Sequence, residues 1–193
     1  MYHNAVRTAE VNLDKFKRFF YAQAQQVSDI SVNLTSLQQR KTLKTTNQCK
    51  DMSWFMENII PEMPVPPTDA VYYESLTNEK SGKCLEAGEE GLAVKDCFPL
   101  KHQQVFFLDT SAQLRTYSDK KCVMVEKDKL VLKGSCLGSK WKYKDKQLQQ
   151  DALCMFVNDT GKLAVEKCYK LGRESYWNFK YHFDWSKPLS YAS

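Results

Sequence analysis

Short apolar runs between polar turns occur three times along the chain between about Gly82 and Phe179. In each copy one run starts at a cysteine, a second run ends at another cysteine, and two closely spaced aromatic residues follow. The copies begin at Cys84, Cys122 and Cys154, and their aromatic pairs are Phe106-Phe107, Trp141 with Tyr143, and Trp177 with Phe179. Self-similarity at 32 to 39 residues indicates one supersecondary unit used repeatedly, and runs this short favour strands. The pattern predicts three small β units that close around a shared axis.

The N-terminal part of the chain has a helical pattern instead. From Asn4 to about Val27, apolar residues recur at three or four positions and form one stripe opposite the charged residues. A more polar segment follows to Lys50, and a short apolar helix is predicted around residues 54–60, ended by Pro61. Prolines 64, 66 and 67 then indicate an extended linker. We therefore expect two domains.

Composition is that of an ordinary globular protein. The chain has 193 residues, of which 42% are apolar and 26% charged. No run of eighteen apolar residues is present, which excludes a predicted transmembrane helix. The start, Met1 to Asn4, lacks the basic and apolar regions of a signal peptide.

The three cysteine-containing repeats resemble the ricin-type β-trefoil lectins. The resemblance rests on cysteines 13 or 14 positions apart, a Cys-Leu-Asp-like opening, a Leu-x-Leu-like run and a Gln-x-Trp-like ending, which the first repeat carries as Gln104-Val105-Phe106. It covers roughly residues 75 to 185. It implies a mostly β fold, a ricin-type trefoil preceded by a small helical segment.

The cysteine spacing within each repeat is typical of disulfides. We expect the pairs Cys84 with Cys97, Cys122 with Cys136, and Cys154 with Cys168. A zinc site is the alternative, but no two cysteines are as close as a Cys-x-x-Cys motif requires. Glycosylation motifs at Asn33 and Asn158 also fit a protein of the secretory pathway. Since no signal is visible, we interpret the chain as the C-terminal part of a longer protein or a short isoform.

The first 65 residues resemble the end of the catalytic domain of the polypeptide N-acetylgalactosaminyltransferases. Asn4 to Val11 matches the family's Asn-x-x-Arg-x-Ala-Glu-Val, although Asn12 replaces the tryptophan that follows. Residues 29–31 match Asp-Ile-Ser, and residues 49–63 match a Cys-Lys-x-Phe-x-Trp motif and its continuation. The resemblance implies a transferase segment at 1–65, a proline-rich linker at 66–74, a trefoil lectin domain at 75–185 and a tail at 186–193.

This family transfers N-acetylgalactosamine (GalNAc) from UDP-GalNAc to Ser or Thr hydroxyls with the help of Mn²⁺. Its Asp-x-His and Trp-Gly-Gly-Glu-Asn motifs do not occur in this chain. We therefore expect no catalytic residue, metal site or cofactor in the chain, and no activity of the chain alone. Whether the longer parent is an active transferase is left open.

Other candidates for chemistry are weak. His3, His102 and His182 are far apart and lack metal-ligand spacing. Cys49 is the seventh, unpaired cysteine; no basic motif marks it as a nucleophile, and the resemblance implies a disulfide partner in the catalytic region.

The resemblance places sugar binding in the first repeat. Related lectins use the acid of Cys-Leu-Asp to accept hydrogen bonds from two sugar hydroxyls, an aromatic ring under the sugar, and an Asn before Gln-x-Trp. The corresponding residues are Glu86, Phe98 or His102, and Gln103. At the acid position the other two repeats have Met124 and Phe156, so we expect no binding there.

Positive charge is concentrated in the second repeat. Between Arg115 and Lys146 there are ten basic and four acidic residues. Such a segment is a candidate surface for acidic peptides or anionic glycans, although a solvated surface is the commoner explanation. The aromatics occupy core positions, which argues against nucleic acid.

Together these features predict a GalNAc-binding or glycopeptide-binding lectin module in mucin-type O-glycosylation, located in the Golgi lumen. The alternative is a degenerate, non-binding trefoil that serves only as a structural module.

Overall fold

The computed structural model describes residues 2–24, 30, 33–99 and 101–186. They form two compact units, one that runs up to Thr68 and takes in Trp185, and one that comprises Asp69–Asp184. The Asp-Ile-Ser match and the predicted tail lie wholly or largely outside the described residues. In the described part of the chain, no helix has the length and apolar character needed to span a bilayer.

The first unit is helical. Its helices are α1 (Tyr2–Asn12), α2 (Lys17–Gln23), α3 (Leu34–Thr46) and α4 (Met52–Asn58). The side chains of Asn33 and Asp51 cap α3 and α4 by accepting hydrogen bonds from the backbone N–H groups of Ser36 and Trp54. The apolar stripe predicted for the first segment is buried at Val6, Ala9 and Phe16.

The helical pattern predicted from Asn4 to about Val27 is divided between two helices. A 3₁₀ turn at Asp14–Phe16 separates α1 from α2, and Asp14 has a positive φ of 46°. The Asp14 carboxylate accepts hydrogen bonds from Lys44 Nζ and the Met52 N–H, which favours the break because both partners come from later helices. Residues 25–27 of the predicted helix lie outside the described residues.

The second unit consists of twelve strands. They are β1 (Ala70–Asn78), β2 (Cys84–Gly88), β3 (Gly91–Lys95), β4 (Val105–Asp109), β5 (Leu114–Thr116), β6 (Cys122–Glu126), β7 (Lys129–Lys133), β8 (Trp141–Lys144), β9 (Gln147–Gln150), β10 (Leu153–Val157), β11 (Leu163–Lys167) and β12 (Trp177–His182). Strand β1 begins before the trefoil start predicted at residue 75, so the end of the predicted linker range is paired strand.

Six of the strands surround the core. Strand β1 pairs with both β4 and β12, β4 pairs with β5, and β8 pairs with β9. Two backbone hydrogen bonds connect the remaining neighbours, from Trp141 N to Ala112 O and from Trp177 N to Lys146 O, both at 2.7 Å. The predicted arrangement of three units around a shared axis is confirmed.

The other six strands form three hairpins, β2–β3, β6–β7 and β10–β11, which contact one another. A disulfide closes each hairpin region, and all three predicted pairs are present. The core beneath them holds Phe106, Trp141 and Trp177, the first aromatic of each repeat, with Leu85, Val123 and Met155. Leu85, Val123 and Met155 each follow the first cysteine of their repeat, and the three aromatic residues lie at the start of β4, β8 and β12.

Candidate functional site

The candidate site lies on the first hairpin and the loop that follows it. Glu86 is on β2, opposite Ala93 of β3. The disulfide of Cys84 and Cys97 anchors the start of the loop, with 5.1 Å between the two Cα atoms. The loop ends in a 3₁₀ turn, His102–Gln104, directly before β4. The loop from Cys97 to Gln104 therefore begins and ends close to the hairpin of β2 and β3.

Glu86 is held by two donors from this loop. Its Oε2 accepts hydrogen bonds from Lys101 Nζ at 2.7 Å and from Gln104 Nε2 at 2.8 Å. The Glu86 side chain is only 15% exposed. The hydrogen bond from Lys101, followed by that from Gln104, lowers the pKa of Glu86 below its usual value against the opposing effect of burial. Glu86 is therefore a fixed, ionised carboxylate at neutral pH.

Gln104 connects the site to the loop backbone. It is buried, with 1% of its surface exposed. Besides its bond to Glu86, its Nε2 donates to Asp96 O at 2.7 Å, and its Oε1 accepts from Phe98 N at 2.9 Å. These contacts fix the loop on which Phe98 lies. The Phe98 side chain is 59% exposed, and its ring centroid is 5.7 Å from Lys101 Nζ.

The sequence-predicted site residues are only partly brought together. Glu86 and Phe98 are connected through Gln104. His102 is exposed, and its ring forms a T-shaped contact with Tyr117, with 5.6 Å between the ring centroids. Gln103 is exposed on the same 3₁₀ turn. Sequence reasoning missed Lys101 and the direct contact of Gln104 with Glu86. The Gln-x-aromatic motif was a usable signal for Gln104, whereas no sequence pattern marks Lys101.

The equivalent positions of the other repeats lack this polar network. Met124 and Phe156 are half-buried at the acid position. Ser139 and Ser175 replace the glutamine, and both are fully buried. Ser139 Oγ donates to Val123 O at 3.1 Å, so its hydroxyl serves the core. The first repeat is the one that combines an acid, an amide and an exposed ring.

Much of the basic segment is used within the chain. Four basic side chains of this segment form ion pairs with carboxylates, namely Arg115, Lys121, Lys133 and Lys146. Lys140 Nζ donates to Ser111 O at 2.8 Å. Lys120 lies over the rings of Phe107 and Tyr117, and burial lowers its pKa to about 8. Because of these contacts, fewer positive charges of this segment are left without a partner than the sequence suggests.

The remaining predicted features lie on other elements of the chain. Cys49 is exposed and is the free cysteine of the described residues. Asn33 caps α3, and Asn158 Oδ1 accepts hydrogen bonds from the backbone N–H groups of Thr160 and Lys162 in a surface turn. Among the described residues, no three potential ligands from His, Cys, Asp and Glu are grouped as a metal site requires.

Comparison with known proteins identifies relatives of the chain. No protein-family model matches it. It is 32% identical over 141 residues to human polypeptide N-acetylgalactosaminyltransferase 6, an alignment that covers 69% of this chain and 22% of that protein. Mouse polypeptide N-acetylgalactosaminyltransferase 12 is 31% identical over 147 residues, covering 67% of this chain and 24% of its own length. The chain thus spans about a fifth of the length of the curated relatives it matches.

Solved structures agree on the fold. A crystal structure of GalNAc-T7 with UDP, GalNAc and Mn²⁺ has a TM-score of 0.57 at 20% identity and covers 93% of this chain and 36% of that one. A type II ribosome-inactivating-protein homologue from Momordica charantia, in complex with α-methyl-D-galactoside, has a TM-score of 0.51 at 18% identity, covering 59% and 49%. The chain is a homologue of the polypeptide N-acetylgalactosaminyltransferases, and its second unit is a ricin-type β-trefoil.

Proposed function

We propose that this chain is a carbohydrate-binding module that recognises GalNAc-bearing glycopeptides or glycans through the first repeat of its trefoil. The observation that carries the proposal is Glu86, an ionised carboxylate fixed by Gln104 beside the exposed ring of Phe98. A carboxylate accepts hydrogen bonds from sugar hydroxyls, and an aromatic ring packs against the apolar face of a sugar. Gln103 and His102 lie on the adjacent 3₁₀ turn, within the same loop.

The relatives support the biological setting that we propose. They are named as polypeptide N-acetylgalactosaminyltransferases, so the module serves mucin-type protein O-glycosylation in the Golgi lumen. Its three disulfides suit an oxidising compartment. The module holds partly glycosylated substrates near a transferase active site. We assign it no catalytic residue, and since the described residues offer no grouped metal ligands, we derive no step through Mn²⁺ or the UDP-GalNAc donor.

A second candidate is a structural trefoil without a ligand. Met124 and Phe156 at the acid positions favour it, because neither side chain accepts a hydrogen bond from a hydroxyl in the way a carboxylate does. The pairing of Glu86 with Lys101 also occupies part of the carboxylate.

Calorimetric titration separates the two candidates. The oxidised full chain and its Glu86→Gln variant are titrated with N-acetylgalactosamine and with a GalNAc-bearing peptide. We expect saturable heat for the unsubstituted chain and at least tenfold weaker binding by the variant, since the amide of Gln is a weaker acceptor than a carboxylate.

The matched control is Glu166→Gln. Glu166 is a lysine-paired carboxylate on the third hairpin, 3.4 Å from Lys170, so its substitution leaves the first repeat intact. We expect it to bind like the unsubstituted chain. Equal heats for all three proteins, or no heat at millimolar sugar from a folded, disulfide-bonded chain, would favour the structural trefoil.

A further inference from the structure

We infer that Lys101 makes the first-repeat site selective for anionic saccharides, those that carry a carboxylate or a sulfate group. The inference rests on the proposed sugar-binding function and specifies the substrate class of the same site. It starts from the ion pair between Lys101 Nζ and Glu86 Oε2, at 2.7 Å. This pair lies where a neutral sugar would have to place its hydroxyls.

One of the two carboxylate oxygens of Glu86 already accepts hydrogen bonds from within the chain. Both of its donors from the described residues, Lys101 Nζ and Gln104 Nε2, bond to Oε2. A neutral sugar that needs both carboxylate oxygens must therefore displace Lys101. Displacing Lys101 gives up its ion pair with Glu86, a loss that a ligand leaving the pair in place does not incur. A ligand that leaves the pair intact has the advantage.

Lys101 has donors to spare for such a ligand. An ammonium group has three N–H donors, and its bond to Glu86 uses one. The side chain is 35% exposed, and Nζ is 5.7 Å from the ring centroid of the exposed Phe98. The cation is therefore close both to the carboxylate and to the ring on which a sugar would pack. A carboxylate or sulfate on that sugar accepts charge-assisted hydrogen bonds from Lys101, while a neighbouring hydroxyl donates to Glu86.

The charges around the pair favour the same ligand class. Lys95, at the end of β3, also contributes to the lowered pKa of Glu86, so a second cation acts on this carboxylate. The nearby Asp96 is itself paired, 3.7 Å from Lys83 Nζ. Lys101 and Lys95 both act on the carboxylate of Glu86, so an anionic group bound beside Lys101 is attracted by two cations. The lysine ammonium group is a compact point charge and lacks the planar, two-donor geometry of arginine, so it can donate hydrogen bonds to a carboxylate or to a sulfate.

The test uses three sugars with the same ring. Methyl galactoside, methyl galactosiduronate (the methyl glycoside with a free carboxylate) and methyl galactoside 6-sulfate differ at carbon 6, which is a hydroxymethyl group, a carboxylate or a sulfated hydroxymethyl group. Each is titrated into the oxidised full chain and into Lys101→Met, which keeps a side chain of similar length and removes the charge. Lys140→Met is the control, because Lys140 bonds to Ser111 O and lies outside the first repeat.

We expect the unsubstituted chain to bind at least one of the two anionic sugars about tenfold or more tightly than the neutral one, with affinity falling as salt rises. In Lys101→Met this preference disappears, and the neutral sugar binds as well as before or better. Lys140→Met keeps the preference. The two anionic sugars separate carboxylate from sulfate recognition.

Two results overturn the inference in distinguishable ways. If the neutral sugar binds at least as tightly as both anionic sugars, or if Lys101→Met keeps their advantage, the selectivity is absent while the proposed function stands. If none of the three sugars binds either protein, and N-acetylgalactosamine also fails, the proposed function falls and the inference falls with it. Circular dichroism and thermal unfolding verify that Lys101→Met is folded in each case.

Discussion

The first and the second repeat share a frame but differ in what their polar residues hold together. In both, an aromatic residue is buried in the core and a disulfide closes the hairpin region. In the first repeat Gln104 reaches outward to Glu86 on the hairpin and to the backbone of the following loop. In the second, the shorter Ser139 bonds to Val123 O inside the core. Two positions, Glu86 and Gln104 in the first repeat against Met124 and Ser139 in the second, decide whether the loop is tied to a carboxylate on the hairpin.

The core itself is completed differently in the two repeats. Trp141 Nε1 donates to Val123 O at 2.7 Å, and in the third repeat Trp177 Nε1 donates to Met155 O at 2.9 Å. Phe106 has no N–H for such a bond. The repeats without the surface network thus have the additional hydrogen bond within the core. The comparison teaches that the polar network around Glu86 and the hydrogen bond from the core indole occur in different copies of one unit.

The largest expected effect concerns the shared core. Trp177→Ala removes a fully buried indole and is expected to lower the free energy of unfolding by about 3–5 kcal/mol. Trp177→Phe keeps the ring but leaves Met155 O without its partner, at a cost of about 1–3 kcal/mol. Urea unfolding at equilibrium measures both. If Trp177→Phe were as stable as the unsubstituted chain, the core hydrogen bond would not distinguish the repeats.

A smaller effect separates the two polar positions. Gln104→Ala removes a buried side chain together with its bonds to Asp96 O, Phe98 N and Glu86 Oε2 and is expected to cost about 1–3 kcal/mol. Ser139→Ala removes a single bond and is expected to cost about 1 kcal/mol. Only Gln104→Ala should also weaken sugar binding, because Gln104 positions Glu86. Loss of binding in both variants would show that the two positions are equivalent after all.

The smallest effect is a pH dependence confined to the first repeat. The folded-state pKa of Glu86 is below its usual value, first of all because of Lys101, so this contact stabilises the fold above the ordinary carboxyl pKa and ceases to do so as pH falls through the folded value. Lys101→Met should therefore lose less than about 1 kcal/mol at neutral pH, since the lysine is partly exposed. This difference should vanish in acid. Unfolding midpoints from about pH 7 to about pH 3 measure it.

Lys140→Met is the control for that series. Its Nζ bonds to a carbonyl oxygen, so its effect on stability should be the same across the range. A Lys101→Met effect equally independent of pH would mean that the ion pair contributes nothing to folding.

The sequence was most informative where the repeats agree. Three copies in register predicted the disulfides and the buried aromatics, because cysteine spacing and strand alternation are local properties repeated at a fixed interval. The break between α1 and α2 could not be read, since the partners of Asp14 are Lys44 and Met52, distant in sequence. The spacing of apolar residues continues unchanged through the turn at Asp14–Phe16, so it does not show that the helix is interrupted there.

The candidate site was predictable to a lesser degree for a similar reason. Glu86 and Phe98 are implied by the resemblance to the ricin-type lectins, whereas the pairing of Glu86 with Lys101 depends on the course of the loop between Cys97 and Gln104. His102 was a reasonable alternative ring by sequence, but the 3₁₀ turn brings it against Tyr117. Which face of a turn a residue occupies depends on backbone angles that no periodicity reports.

The pairing of β1 with β12 has a consequence for biosynthesis. Tyr73 of β1 lies opposite Tyr181 of β12. The second edge of β1 is therefore covered only after β12 has been synthesised. During translation, every intermediate that ends before Trp177 has β1 as an open edge, a template for pairing with other chains. Nonsense or frameshift changes in the final segment should therefore yield aggregates rather than a shortened two-repeat protein.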